Sequence, residues 1–366
     1  MIFGSFSALN LEQVSKLRPD GQTNNVLILR LFAASLVVYG HAFALAAPCS
    51  SCFDFVTRYF GYRYSGDVGL DILFVISGFL VTASYDSRNN LFGFVESRAL
   101  RLLPALWVCL ILTVAVGGYF SKLSLNDFLT SPETWGYLKW NGSLIGPRYN
   151  LPGVTLTTSA QYGAIMNGSI WSLPVEMRLY FMVAIIGAAG LLLRRLYFNL
   201  FLLGMILIGM FARPYFPFLG TWESNINLAA FFGAGAFLYV NRLHVPVHWG
   251  LLGLLFLASY LGGVFGAGDF QIFFGAFIAY GTLIFGYSKK IPLPKWVDDY
   301  SYGIYIYGWP IEQLLRHYSP GISPYAMAIE ALILSWIAGA ISWHVIEKRA
   351  LRFKTSRRPR AMAESA

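Results

Sequence analysis

Long apolar stretches recur along the whole chain, at roughly 26–46, 68–84, 103–120, 168–191, 197–212, 225–240, 248–266, 270–287, 301–317 and 325–346. A helix crossing the hydrocarbon of a bilayer needs about 20 largely apolar residues. The pattern therefore predicts an all-α polytopic membrane protein, a bundle of about ten transmembrane helices with short connections. Gly and Pro interrupt the fourth to sixth stretches. Residues 1–25 show neither a basic n-region nor a cleavage site, so no removable signal peptide is expected. Ala8 to Leu17 could instead form a short amphipathic helix on the interface. No internal repeat divides the chain, which reads as one integral-membrane unit over 1–366: an N-terminal segment 1–25, a core 26–347 and a basic tail 348–366.

Composition sharpens this picture. The 366 residues are 56% hydrophobic and only 12% charged, against about 25% charged in an ordinary globular domain. A soluble protein, a disordered chain and a disulfide scaffold are all excluded. The formal net charge of +9 would suit nucleic acid, but Lys and Arg also collect in cytoplasmic loops of membrane proteins. With the N-terminus inside, the inner segments hold 18 Lys and Arg and the outer segments 7. That bias favours both termini in the cytoplasm, and the basic tail reads as a topology and anionic-lipid signal. The expected partner is the lipid bilayer, not nucleic acid.

The long outer segment 121–167 interleaves Trp135, Tyr137, Trp140, Tyr149 and Tyr162 with Asn and Ser. Such aromatics either stack on sugar faces or lie at headgroup level. Cys49 and Cys52 in the first outer loop form a local bridge or remain two thiols, and Cys109 packs as a small apolar group.

The few ionisable groups inside spans carry the functional information, since each costs at least a few kcal/mol there. Arg30 and His41 lie eleven residues apart on the first span, nearly three full turns, so they share one face roughly 16 Å apart. Arg30 alone could snorkel at the inner interface, and His41 alone could be a packing residue; their alignment favours a functional pair. Asp71 and Glu176 enter from the outer side, and a carboxylate near His41 would fix its tautomer and raise its basicity. Asp71 could otherwise cap a helix at the interface. Arg178, two residues from Glu176, cannot share its helix face; Pro174 suggests a kink aiming both inward. Arg98 and Arg101 lie one turn apart in the inner segment 85–102, an arrangement suited to a phosphate-rich ligand or to ordinary positive-inside placement.

These residues fall within a set of motifs. They are Arg30-x10-His41, Gly69-Leu-Asp71-Ile-Leu-Phe74-Val-Ile-Ser77-Gly78-Phe79, Arg98-x-x-Arg101-x-x-Pro104, Trp171-Ser172-Leu173-x-x-Glu176-x-x-x-Tyr180, Ser301-Tyr302-Gly303-Ile-Tyr305-x-Tyr307-x-Trp309-Pro310, and Glu347-Lys348. In this order the chain resembles the integral-membrane acyltransferase family 3, whose members O-acylate cell-surface glycans. The resemblance implies acetyl-CoA or another acyl-CoA as donor on the cytoplasmic face of a bacterial inner membrane. It implies a glycan or lipid-linked glycan acceptor reached from outside, and no metal is expected. On that layout Arg98 and Arg101 would hold CoA phosphates with Arg30 near the entrance. His41 would act as general base or transient acyl carrier, oriented by Asp71 or Glu176, while Arg178, Trp171 and Tyr302 would meet substrate.

Two departures stand out. Many relatives carry His where this chain has Gly308, and the esterase-like domain that some relatives carry after the spans is not expected here. Ser77 reads as a small residue for close packing, and His344 as a structural partner of Glu347. A transporter or flippase for a sugar, lipid or acyl group is the alternative, although the paired broken helices common in such folds are not evident. A non-catalytic membrane subunit is a third reading, which the aligned Arg30 and His41 disfavour.

Overall fold

The computed structural model describes residues 25–353 apart from 47, 50–51, 62, 89–90, 158–161, 212–222, 266–270 and 289–290. The interfacial helix expected at Ala8–Leu17 and the tail after Phe353 lie outside the described residues. The longer helices are α1 (Val26–Leu45), α3 (Ser65–Arg88), α4 (Leu91–Phe120), α7 (Leu173–Ala188), α8 (Arg195–Phe211) and α9 (Glu223–Val240). They continue with α10 (Trp249–Phe265), α11 (Gln271–Gly286), α12 (Ser301–Tyr318) and α13 (Pro324–Ser342). Shorter helices are α2 (Phe55–Phe60), α5 (Leu125–Thr130) and α6 (Pro132–Gly142).

Each predicted apolar stretch falls on one of these helices. Among the described residues five segments are long and apolar enough to cross a membrane: Val26–Leu45, Ser65–Ser87, Leu91–Phe120, Ser169–Ala188 and Pro324–Phe353. α8, α10 and α11 are apolar but shorter.

The outward faces confirm what covers them. On α13, Ile329, Ile333, Ile337 and Ile341 recur every fourth residue and are all more than half exposed. Ala331, Ser335, Gly339 and Ser342 on its other side are buried. A water-facing helix would invert that order, because contiguous apolar patches are rare on soluble surfaces. The protein is an integral membrane protein.

Two boundaries differ from the sequence pattern. The inner segment 85–102 is not a loop: helix α4 begins at Leu91 and runs through Pro104 without ending. Arg98 and Arg101 therefore sit on a helical surface that continues into the apolar span. Pro174 does not kink a helix either. It occupies the first turn of α7, after a 3-10 turn at Ser169–Ser172, where a missing N–H costs nothing.

α1 lies at the centre. Leu29, Ala33 and Val37 face the main core with α3, while Leu31, Ala34 and Val38 pack with α12 and α13. α3 is gripped on its far side by α9. The approach there is close enough that a Cβ on Gly78 would overlap the Phe232 carbonyl, and one on Gly235 the Val75 carbonyl. Small residues are what allow apolar helices to meet backbone to backbone in lipid.

Gly78→Val should therefore force α3 from α9 and cost about 1–3 kcal/mol of stability, read as a lower unfolding temperature in detergent. Gly204→Ala, where a Cβ meets nothing within 4 Å, should leave that temperature unchanged or raised. Equal behaviour of the two variants would refute the close α3–α9 contact.

Candidate functional site

Three helices bring their charges together at one end of the bundle. Arg30 on α1 and Arg101 on α4 each place a guanidinium nitrogen 2.8 Å from the same Asp299 oxygen, Oδ2. Asp299 immediately precedes α12, and its other oxygen accepts from the Ser301 hydroxyl at 2.6 Å. Burial alone would raise this carboxyl, but Arg101 and then Arg30 outweigh it and hold it down at about 2. It is therefore ionised at neutral pH. Arg101 also approaches Glu347 at 3.6 Å and lies over the Trp343 ring. Glu347 is bonded by Ser342, whereas His344 meets the Tyr300 hydroxyl. The expected His344–Glu347 contact is thus replaced by two others.

These charges line one end of a cavity of about 400 Å³. Arg98 lines it too, its guanidinium over the Phe94 and Tyr180 rings. The one-turn spacing of Arg98 and Arg101 does aim both at a single space. Across the cavity Glu176, in the first turn of α7, accepts from Tyr180 and from Ser77, the latter at 3.2 Å. A carboxylate there is favoured by the helix N-terminus. Ser77 is hence a hydrogen-bonding wall residue as well as a small one. Tyr302 lines the same space and donates to the Leu102 carbonyl at 3.0 Å. Tyr305 and Ser172 close it, hydroxyl to hydroxyl at 2.6 Å.

His41 is buried beyond this cavity, on the same helix as Arg30. Its ring meets Trp309 edge to face at 4.9 Å, and its Nδ1 lies 3.5 Å from Oε2 of Glu312, a fully buried carboxylate. That separation is longer than a hydrogen bond. His41 Nδ1 and both Glu312 oxygens make no hydrogen bond in the structure. Unsatisfied buried polar atoms cost about 1–3 kcal/mol each, so their grouping here makes the pair a candidate functional centre.

The carboxylate that accompanies His41 is neither of the two expected. Asp71 is fully buried and holds Arg63 and Asn227, tying α3 to α9. The register explains this. A Cβ on Gly40 would touch Gly66 and one on Gly69 would touch Ala33 and Val37, so antiparallel α3 carries Asp71 roughly two turns below His41. Glu176 belongs to the cavity wall. α12 supplies the partner because it runs parallel to α1, with Gly308 seated on Val38. One turn further along both helices brings Glu312 beside His41. The glycine that departs from the family pattern is filled by that helix contact.

Two other expected substrate contacts sit elsewhere. Arg178 donates to the Ile145 carbonyl at 3.0 Å, and Trp171 packs half-buried against the main core. Neither is among the residues lining the cavity. Among the described residues no cluster of His, Cys, Asp and Glu could hold a metal ion. Cys49 and Cys52 are joined as a disulfide.

A family model described as an acyltransferase domain matches residues 24–346. The chain belongs to that family. Two curated relatives match across nearly their whole lengths. An O-acetyl transferase of Shigella phage Sf6 is 29% identical over 338 residues, covering 88% of this chain and 94% of the relative. Nodulation protein 10 of Rhizobium leguminosarum bv. viciae is 25% identical over 386 residues, covering 92% and 95%. No solved structure matches the chain.

The acyltransferase therefore carries two polar centres joined by α1: an arginine-lined cavity and a buried His41–Glu312 pair. Sequence reasoning missed Glu312 and Asp299. Glu312 was open to detection by the rule applied to Asp71, an acidic residue inside an apolar stretch. Asp299, in a connection, gave no comparable signal.

The cavity fits an anionic ligand in one specific sense. Arg30 and Arg101 spend donors on Asp299, while among the described residues Arg98 meets aromatic rings and the Ser97 hydroxyl. Asp299→Asn would leave two guanidiniums facing each other without their shared anion. The expected result is a rise of about tenfold in the donor KM, the scale of one charged hydrogen bond, with recovery in Asp299→Glu. Unchanged donor kinetics would show that the bridge does not shape the cavity.

Proposed function

We propose that the protein is an O-acyltransferase that moves an acyl group, acetyl in the simplest case, from cytoplasmic acyl-CoA to a hydroxyl of an extracytoplasmic or lipid-linked glycan. The observation that carries this reading is the content of one helix. α1 presents Arg30 to a cavity shared with Arg98 and Arg101, and presents His41 to Glu312 eleven residues further on. A donor with a phosphate-bearing head and an extended thioester arm suits that arrangement. The inner bias of Lys and Arg supports reading the arginine end as the cytoplasmic one.

In this reading Arg98 binds donor phosphate directly. Arg30 and Arg101, held by Asp299, offer their remaining N–H groups from a fixed geometry. The acceptor oxygen attacks the thioester carbonyl as its proton passes to His41 Nε2, the nitrogen turned away from Glu312. The carbon–sulfur bond breaks and the CoA sulfur leaves with a proton. Glu312 orients the imidazole and stabilises the imidazolium while it exists. Tyr302, Tyr305 and Ser77 line the cavity that would take the donor. The relative from Shigella phage Sf6, named as an O-acetyl transferase, supports the same reaction class.

Purified protein given acetyl-CoA and surface polysaccharide stripped of its O-acyl groups should release CoA. His41→Ala should abolish release while CoA binding persists. Glu312→Gln should lower kcat about 10²-fold, within the usual range for general-base assistance. Normal turnover by His41→Ala would sink the mechanism, and movement of glycan across vesicles without acyl transfer would replace it with transport. Arg98→Ala should weaken CoA binding at least about tenfold, the loss of a charge-assisted phosphate contact, in equilibrium titrations. Equal affinity would remove Arg98 from the donor site.

A further inference from the structure

The outer segment that follows α4 folds, over residues 121–157, into a cap. Ser124 and Ser131 cap α5 and α6 by accepting from the Asp127 and Glu133 amides at 3.1 and 3.2 Å. Phe128, Thr134 and Tyr137 form its buried centre. Asn141 clamps Arg148 from both sides, accepting from its amide and donating to its carbonyl, each at 2.8 Å. Such a cap presents its surface groups from fixed positions.

That surface holds a groove of about 520 Å³ between α6 and the following strand of chain, within the range of about 300–1,000 Å³ typical of ligand sites. Trp140 and Tyr149 supply aromatic surface, with Glu133, Arg148 and Asn150 around them. Lys139 and Arg148 lie 5.6 and 5.9 Å from the Trp140 ring centre and steady it. Gly136 opens one wall, since a Cβ there would meet only Trp140, at 3.9 Å.

We propose that this groove is a docking subsite for a pyranose unit of the acceptor glycan, apart from the hydroxyl that reacts. A pyranose has an apolar C–H face and a rim of hydroxyls. An indole takes the face by burial of a rigid apolar surface. Carboxylate, guanidinium and amide groups take adjacent hydroxyls two at a time. The site lies on the acceptor side: Phe120, where α4 ends and the cap begins, is roughly 28 Å along that helix from Arg101. It is also wired to the reaction centre. The Tyr149 carbonyl accepts from the Met166 amide at 2.8 Å, and the adjoining Ile165 carbonyl accepts from Trp309 and Gln313 at 3.2 and 2.8 Å. Trp309 is the ring against His41.

The proposal rests on the glycan acceptor of the preceding section, and its test separates the two. The probe is surface polysaccharide from the cells that make the protein, de-O-acylated with mild alkali. Gly136→Leu fills the groove and favours the helix it stands in; Trp140→Ala removes the floor. Each should raise the polysaccharide KM about tenfold, the scale of one lost aromatic anchor, with kcat falling far less. CoA affinity, set at the opposite end of the protein, reports that the variants are folded. Gly146→Leu, in the same cap but outside the groove, should keep the wild-type KM.

A wild-type KM in Gly136→Leu, with acyl transfer intact, would overturn the groove and leave the chemistry standing. Titration provides the second arm. If wild-type protein binds the polysaccharide, Gly136→Leu does not, and no acyl group is ever transferred, the groove stands and the chemistry fails. No binding by the wild-type protein would overturn the groove. So would variants that keep their acceptor KM and lose only insertion into lipid vesicles, which would make Trp140 a headgroup anchor.

Discussion

A charged or strongly polar side chain among apolar helices costs at least a few kcal/mol unless another protein group meets it, and the way these helices are joined follows from that cost. Asp71 meets Arg63 and Asn227, holding α3 to α9. Asp299 meets Arg30 and Arg101, joining α1, α4 and the start of α12. Glu176 is answered by Ser77 and Tyr180. The contacts of Asp71 with Asn227, of Glu176 with Ser77 and of Asp299 with Arg30 and Arg101 join residues distant in sequence, and they fix the relative height of the helices they connect. Apolar packing alone would leave that height loosely specified, because lipid solvates an apolar helix surface about as well as another helix does.

His41 and Glu312 are the exception. They lie side by side, buried, at a distance too long for a hydrogen bond. A structural ion pair repays its burial through close contacts, as Asp71 and Asp299 do. A pair left short of partners is better suited to receiving a substrate proton. The contrast of Glu312, with both oxygens unsatisfied, against Asp71 and Asp299 is what supports the proposal that His41 and Glu312 act while the other carboxylates hold the bundle.

The arrangement also has two ends. α4 carries Arg98 and Arg101 near its beginning and leads into the folded cap at its close. α1 carries Arg30 and His41 on one face. The proposed donor chemistry at one end and acceptor recognition at the other need a reacting centre between them, and His41 stands on a helix that packs closely against α3, α12 and α13.

The helices themselves were legible from apolar blocks, since the block length needed to span a bilayer is set by its thickness. The shared face of Arg30 and His41 and the shared direction of Arg98 and Arg101 were legible as well, because helical periodicity is a local property. What periodicity does not contain is the register between helices. Asp71 was matched to His41 by counting from the outer surface, but α3 starts earlier and packs through Gly66 and Gly69, which lowers Asp71 along α1. The close seat of Gly308 on Val38 sets the height of α12 and brings up Glu312 instead. Asp299 stands in a connection, where no apolar background makes a charge conspicuous. The sequence by itself determined which segments are helices and which way their polar residues point. Only the tertiary structure decided which carboxylate meets which partner, because that depends on close contacts between helices that are tens to hundreds of residues apart in the chain.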